Sequence, residues 1–391
     1  MATITLSQGI AVCSYAVTQL DENNTDFAVN NVKSYILMEE STGTILLEHN
    51  KDEELFPASI TKIMTLILIF DEIKKGNLSL ADMVTVSEHA AGMGGSQVFL
   101  EAGEKQKVDD LIKAISIASG NDASVAMAEH IAGSENEFVA RMNERAKKLG
   151  MNHTHFMNCC GLDDTLTSGH YSTALDVAIM SRELIHNYPQ ISKYATTWMD
   201  VIYHKTKKGE QEFGLTNTNK LVRSFDGITG LKTGSTSKAG YCLSATANRD
   251  GVGLVAVIMA AKSPIDRFSK AGELLNYGFA NVSVYKNRIS EKKLEHPEVK
   301  QSLYQKIFAK QKEEFSYIFP KNEEMKPKRV VKFKKNLCAP IKKGDKVGEI
   351  CYYFKGEKIG SKDLIAKNNV DKANFLKGLG YLLNGYLGKA L

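Results

Sequence analysis

The run Ile63-Met64-Thr65-Leu66-Ile67-Leu68-Ile69-Phe70 constrains this chain most. At about eight residues it is too short to span a bilayer, and it is apolar on every side, so it reads as a helix enclosed by other elements. Directly before it stands Pro57-Ala58-Ser59-Ile60-Thr61-Lys62. If the helix begins near Ser59, then Ser59 and Lys62 share one face at i and i+3. A serine hydroxyl is a weak nucleophile until a base within hydrogen-bond reach takes its proton. A lysine can be that base when burial or a second cation favours its neutral form. The helix start also presents backbone N–H groups to a developing negative charge. Ser-x-x-Lys alone is a short pattern that chance often produces, so its weight depends on the rest of the chain.

With 391 residues there is room for two domains and a sizeable core. A hydrophobic content of 43% and a charged content of 24% are those of an ordinary globular protein. The net charge of +5 is too mild for a dedicated nucleic-acid binder but suits an anionic surface as partner. The six cysteines form no C-x-x-C pair and no disulfide framework. His153, His155, Cys159 and Cys160 cluster in sequence but lack a second ligand pair, so local packing is the expectation there and no metal is implied. The first 32 residues contain no Lys or Arg, and the apolar run Gly9–Cys13 is too short for a signal-peptide core.

Residues 1–30 read as a polar tail. Residues 31–282 read as an α+β unit. It opens with a hairpin, Tyr35–Met38 and Thr44–Leu47 about a turn at Ser41-Thr42-Gly43. Helical spacing follows over Leu111–Ile131, broken at Ser119-Gly120-Asn121, then over Phe138–Leu149 and Ala174–Ile185. Tyr241–Ala247 and Gly253–Ala260 read as strands joined at Asn248–Gly251, and Ile265–Tyr277 closes the unit as a helix. Strands at both ends with helices between them predict a sheet assembled from the two ends of the unit. Residues 283–363 turn charged and alternating, as in Val330–Lys334 and Val347–Tyr353, and predict a small β-sandwich-like domain. Lys326–Lys335 holds six basic residues and no acid, a pattern read as a solvated strand face. Over 364–391 the sequence predicts an amphipathic helix. Phe375, Leu376, Leu379, Leu382, Leu383, Tyr386, Leu387 and Ala390 fall within roughly 140° of arc at 100° per residue. Gly378, Gly380, Gly385 and Gly388 would cost about 1 kcal/mol each relative to Ala, so contact with an external apolar phase would supply most of its helicity.

Ser59-Ile60-Thr61-Lys62, Ser119-Gly120-Asn121 and Lys232-Thr233-Gly234 occur in that order, the triple known from penicillin-binding proteins and class A β-lactamases, where the middle element is given as S-D-N. Gly120 departs from that form. Ser-Gly-Asn is typical of low-molecular-weight penicillin-binding proteins, the D-alanyl-D-alanine carboxypeptidases, and the chain resembles that family. The likeness includes Pro57–Thr65, Ala118–Ala123, Tyr171–Asp176, Gly230–Thr236 and, in the family's C-terminal β domain, Ala339–Asp345. It runs from about Lys33 to the end of the chain.

The resemblance implies an antiparallel sheet flanked by helices, no metal or organic cofactor, and a substrate ending in D-Ala-D-Ala on a peptidoglycan stem peptide, with β-lactams as covalent inhibitors. Ser59 would be the acylated nucleophile and Lys62 its base. Ser119 and Asn121 would pass protons and orient Lys62. Lys232 would add positive potential that helps keep Lys62 neutral. Thr233, within Lys232-Thr233-Gly234-Ser235, would meet the terminal carboxylate, assisted by Arg267. Backbone N–H groups of Ser59 and Ser235 would form the oxyanion hole, worth roughly 3–4 kcal/mol per donor. The tail would lie on the outer leaflet of the cell membrane, with an export signal missing from the present N-terminus. A class A-like β-lactamase needs a separate glutamate for deacylation, and none occurs between Gly150 and Asp176. A catalytically silent wall sensor is the other alternative, against which stand the intact Ser59, Lys62 and Lys232.

Overall fold

The computed structural model describes residues 31–163, 168–206, 209–294, 297–302 and 306–374. The N-terminal tail and the helix expected over Phe375–Leu391 lie outside them. The described chain divides into two compact units, with the division between Val282 and Ser283.

In the first unit a five-stranded antiparallel sheet runs in the order Ile45–His49, Ser34–Glu39, Val252–Ala261, Gly240–Arg249, Ile228–Thr236. It joins the start of the unit to its end, as the strand pattern predicts. The central strand Val252–Ala261 is buried along nearly its whole length, which its unbroken apolar sequence requires. Lys62–Lys75 is the core helix, and every residue from Lys62 to Phe70 is buried. It ends at Gly76, whose φ of 79° closes the helix in the left-handed conformation that glycine tolerates. Around it pack Asn121–Ala132, Glu135–Leu149 and Ala174–Asn187. The break at Ser119-Gly120-Asn121 separates Val108–Ser116 from Asn121–Ala132. Pro264–Asn281 covers the Gly240–Arg249 and Val252–Ala261 strands, started by a Ser263 cap with proline in its first turn.

In the second unit Ala309–Gln311, Glu357–Ala366, Lys346–Phe354 and Lys328–Phe333 form an antiparallel sheet in that order, while Val282–Asn287 pairs with Phe315–Pro320. Its core centres on Phe315 stacked on Tyr352, ring centroids 3.8 Å apart, with Ile350, Val347 and Leu364 around them. The sequence expectation began the tail at residue 364. The last strand instead runs to Ala366, and Val370 bridges Ile341, because Leu364, Ala366 and Val370 are all core residues. Among the described residues no helix is long and apolar enough to cross a membrane.

Candidate active site

Ala58–Thr61 is a single 3₁₀ turn that leads directly into the core helix, so Ser59 and Lys62 do share a face. Ser59 is half-buried, whereas Lys62 has no exposed surface at all. The Lys62 amine reaches Ser59 Oγ at 2.9 Å, Asn121 Oδ1 at 2.6 Å and the Cys160 carbonyl at 2.8 Å. The Asn121 amide is fixed the right way round, because its Nδ2 donates to the Gly94 carbonyl at 2.7 Å. The Asn121 and Cys160 oxygens can only accept. A neutral amine has two N–H bonds and one lone pair, so when those two oxygens take the protons, the lone pair faces Ser59. Burial pushes the Lys62 pKa down to about 8, outweighing the opposing pull of the Asp122 carboxylate.

Lys232 is also fully buried, on the edge strand Ile228–Thr236, and its amine donates to Ser119 Oγ and to the Thr233 carbonyl, both at 2.9 Å. Its pKa is driven well below the ordinary lysine value, first by burial and then by the positive charges of Lys62 and Arg267. Burial is the leading cause at Lys62, and the repulsion between the two amines shows at Lys232. Ser119 sits at φ 64°, a left-handed conformation that turns the chain sharply into the helix starting at Asn121. Asp122 holds the facing segment, its carboxylate accepting the Val98 N–H at 3.0 Å and the Leu100 N–H at 3.1 Å.

Gly234 is where the edge strand passes the Ala58–Thr61 turn. A Cβ there would stand 2.9 Å from the Pro57 carbonyl oxygen and 3.0 Å from Ser59 N, so no side chain fits. Thr233 donates from Oγ1 to Thr218 Oγ1 at 2.7 Å, and Ser235 is exposed. Arg267 lies at the start of the covering helix, only 9% exposed, and its Nη1 donates to the Gly234 carbonyl at 3.1 Å. Its Nε is buried with no hydrogen-bond partner among the described residues. The nine residues expected from the sequence thus lie on the Ala58–Thr61 turn, the first residue of the core helix, the Ser119–Asn121 corner, the edge strand and, for Arg267, the covering helix.

The segment Phe156–Asp163 supplies groups that sequence reasoning missed. Asn158 Oδ1 accepts the N–H groups of Cys160 (3.2 Å) and Gly161 (2.6 Å), holding the turn that aims the Cys160 carbonyl at Lys62. Gly161 has φ 87°, and a Cβ there would overlap the Ala58 carbonyl oxygen at 1.8 Å. Asp163 accepts from Thr236 Oγ1 at 2.5 Å, tying the same segment to the edge strand. The Asn158-to-Gly161 spacing was a turn signal, but a backbone carbonyl leaves no trace in the sequence. The residues considered for a metal go separate ways: His153 pairs with Glu54, His155 with the Gly169 carbonyl, and Cys159 and Cys160 are buried.

Residues 21–263 match the family model described as D-alanyl-D-alanine carboxypeptidase, and residues 288–372 match that of the penicillin-binding protein 5 C-terminal domain. The chain is 39% identical to the D-alanyl-D-alanine carboxypeptidase DacF of Bacillus subtilis, over 95% of each protein. It is 34% identical to DacC of Escherichia coli, over 88% of this chain and 86% of that one. Among solved structures, penicillin-binding protein 5 of Haemophilus influenzae superposes with a TM-score of 0.70 at 32% identity, covering 88% of this chain and 98% of that one. The chain belongs to the D-alanyl-D-alanine carboxypeptidase family of penicillin-binding serine hydrolases.

Proposed function

We propose that this chain removes the C-terminal D-alanine from peptidoglycan stem peptides through an acyl-enzyme on Ser59. The observation that carries this is the Lys62 amine, buried, 2.9 Å from Ser59 Oγ, with two obligate acceptors occupying its protons. Ser59 Oγ would attack the carbonyl between the two D-alanines while its proton passes to the Lys62 lone pair. The oxyanion would form against the backbone N–H groups of Ser59 and Ser235. Collapse breaks the peptide bond, and the leaving amine takes a proton supplied through Lys62 and Ser119. Water then hydrolyses the ester, returning Ser59. Thr233, Gly234 and Ser235 would line the substrate's terminal carboxylate, with Lys232 and Arg267 supplying positive charge behind them. A β-lactam would acylate Ser59 by the same attack, its leaving nitrogen remaining tethered in the adduct.

Because this substrate lies outside the cytoplasmic membrane, we place the protein on its outer face, held peripherally by the apolar arc of Phe375–Ala390. The catalytic assignment is tested by intact mass after benzylpenicillin, followed by turnover of a D-Ala-D-Ala peptide. The parent chain should gain one stable adduct and release D-alanine, and Ser59→Ala should do neither. An adduct on the Ser59→Ala chain would move the nucleophile elsewhere. Rapid loss of the adduct from the parent chain would favour a β-lactamase, and labelling without turnover a silent sensor.

A further inference from the structure

The end of the second unit from which the chain leaves for its tail gathers positive charge. Three segments meet there. Lys300 bridges Cys338, its N–H donating to the Leu337 carbonyl at 2.8 Å. Ile341 bridges Val370, and the Lys343 N–H donates to Asn369 Oδ1 at 2.8 Å. The Ala373 N–H donates to the Gln301 carbonyl at 2.7 Å, fixing the exit of the chain on this surface. The segments bring together Lys300, Lys342, Lys343 and Lys372, all exposed, with two exposed acids beside them among the described residues, Asp371 and, two residues before Lys300, Glu298. Asp345, alongside, has its carboxylate engaged by the Lys342 N–H at 2.8 Å. Phe308 adjoins the patch, 48% exposed, its N–H donating to Asn368 Oδ1.

Lysines on the edge strand Lys328–Phe333 are explained by protection of an open sheet edge. The patch lysines lie on loops around the chain exit, where no edge needs them. Lysines beside an exposed aromatic match the interfacial region of a bilayer. The sequence beyond Asn374 supplies the apolar arc, and a tail lying on a membrane would hold this end of the unit within about 10 Å of the headgroups, one Debye length. We propose that this surface docks on anionic phospholipid headgroups, a second and electrostatic membrane contact beside the apolar one of the tail. The inference rests on the membrane-surface assignment made above.

The test compares the full chain with a Lys342→Gln/Lys343→Gln variant on phosphatidylcholine vesicles with and without phosphatidylglycerol. On phosphatidylglycerol-containing vesicles the variant should bind about five-fold more weakly per lysine removed. On phosphatidylcholine alone it should match the parent, and high salt should erase the difference. Parent-like binding to the anionic vesicles, or equal losses on both kinds, overturns the proposal. So does a variant that keeps its vesicle binding but loses affinity for soluble poly(glycerol phosphate), since the surface would then bind a wall polyanion. Peptide turnover in solution should be unchanged in the variant. Ending the chain at Asn374 separates the two contacts: loss of the tail weakens binding to both kinds of vesicle, and loss of the lysines only to the anionic kind.

Discussion

The base role proposed for Lys62 requires its amine to be buried, neutral and aimed. Its pKa falls from the model-peptide value of 10.5 to about 8 because the folded chain excludes water from it. Below about pH 8 the amine is protonated in the folded and unfolded states alike, and the cost of burying its charge is carried in full. Between about 8 and 10.5 the unfolded chain binds more protons, so stability should rise with pH across that window. Catalysis should follow the neutral fraction in the same direction. The second-order rate of acylation by benzylpenicillin should climb about ten-fold per pH unit below the midpoint and flatten above pH of about 8. A flat profile between about pH 6 and 9 would show that the neutral amine is not the base. Lys62→Arg should be nearly inactive at every pH in that range, since a guanidinium stays protonated. Near-normal acylation in that variant would remove Lys62 from the role.

At the scale of elements, the proposed site depends on how closely the edge strand passes the Ala58–Thr61 turn. Gly234→Ala places a methyl 2.9 Å from the Pro57 carbonyl oxygen and 3.0 Å from Ser59 N, and both are backbone atoms that cannot rotate aside. Strand and turn must separate, which should cost about 1–3 kcal/mol of stability and on the order of 100-fold in acylation rate. A variant of unchanged rate would mean the turn tolerates displacement. Arg267 backs the same strand through its bond to the Gly234 carbonyl. Amidating the substrate's terminal carboxylate and making Arg267→Ala should each cost most of kcat/KM, and together less than the product of the two. Fully multiplicative losses would assign Arg267 to holding the strand alone. Ser59 and Lys62 were legible in the sequence because one helical turn fixes their spacing. The core helix and the central strand were legible because their apolar runs have few places to go. The Cys160 carbonyl was not, since any residue presents one. Nor was the hairpin of Met199–Thr206 and Gly209–Thr216, whose second strand is mostly exposed and carries no alternating apolar pattern.

Across the whole molecule, the apolar tail and the β unit can be parted only at the right bond. Val370 has no exposed surface and bridges Ile341, Asn369 accepts from the Lys343 N–H, and Ala373 donates to Gln301. A cut before residue 369 would therefore strip a core residue from the β unit and confuse unfolding with release. Ending the chain at Asn374 leaves those contacts in place and removes only the segment with the apolar arc. Such a chain should keep its melting temperature and its turnover of soluble D-Ala-D-Ala peptide. It should also leave neutral vesicles, because the apolar arc is what an uncharged bilayer can hold. What remains on anionic vesicles should be weak and salt-sensitive, as expected for lysines facing headgroups across water. If the shortened chain sediments with neutral vesicles as the full chain does, the tail is not the anchor. If it unfolds, residues beyond Asn374 pack on the β unit and serve its stability first.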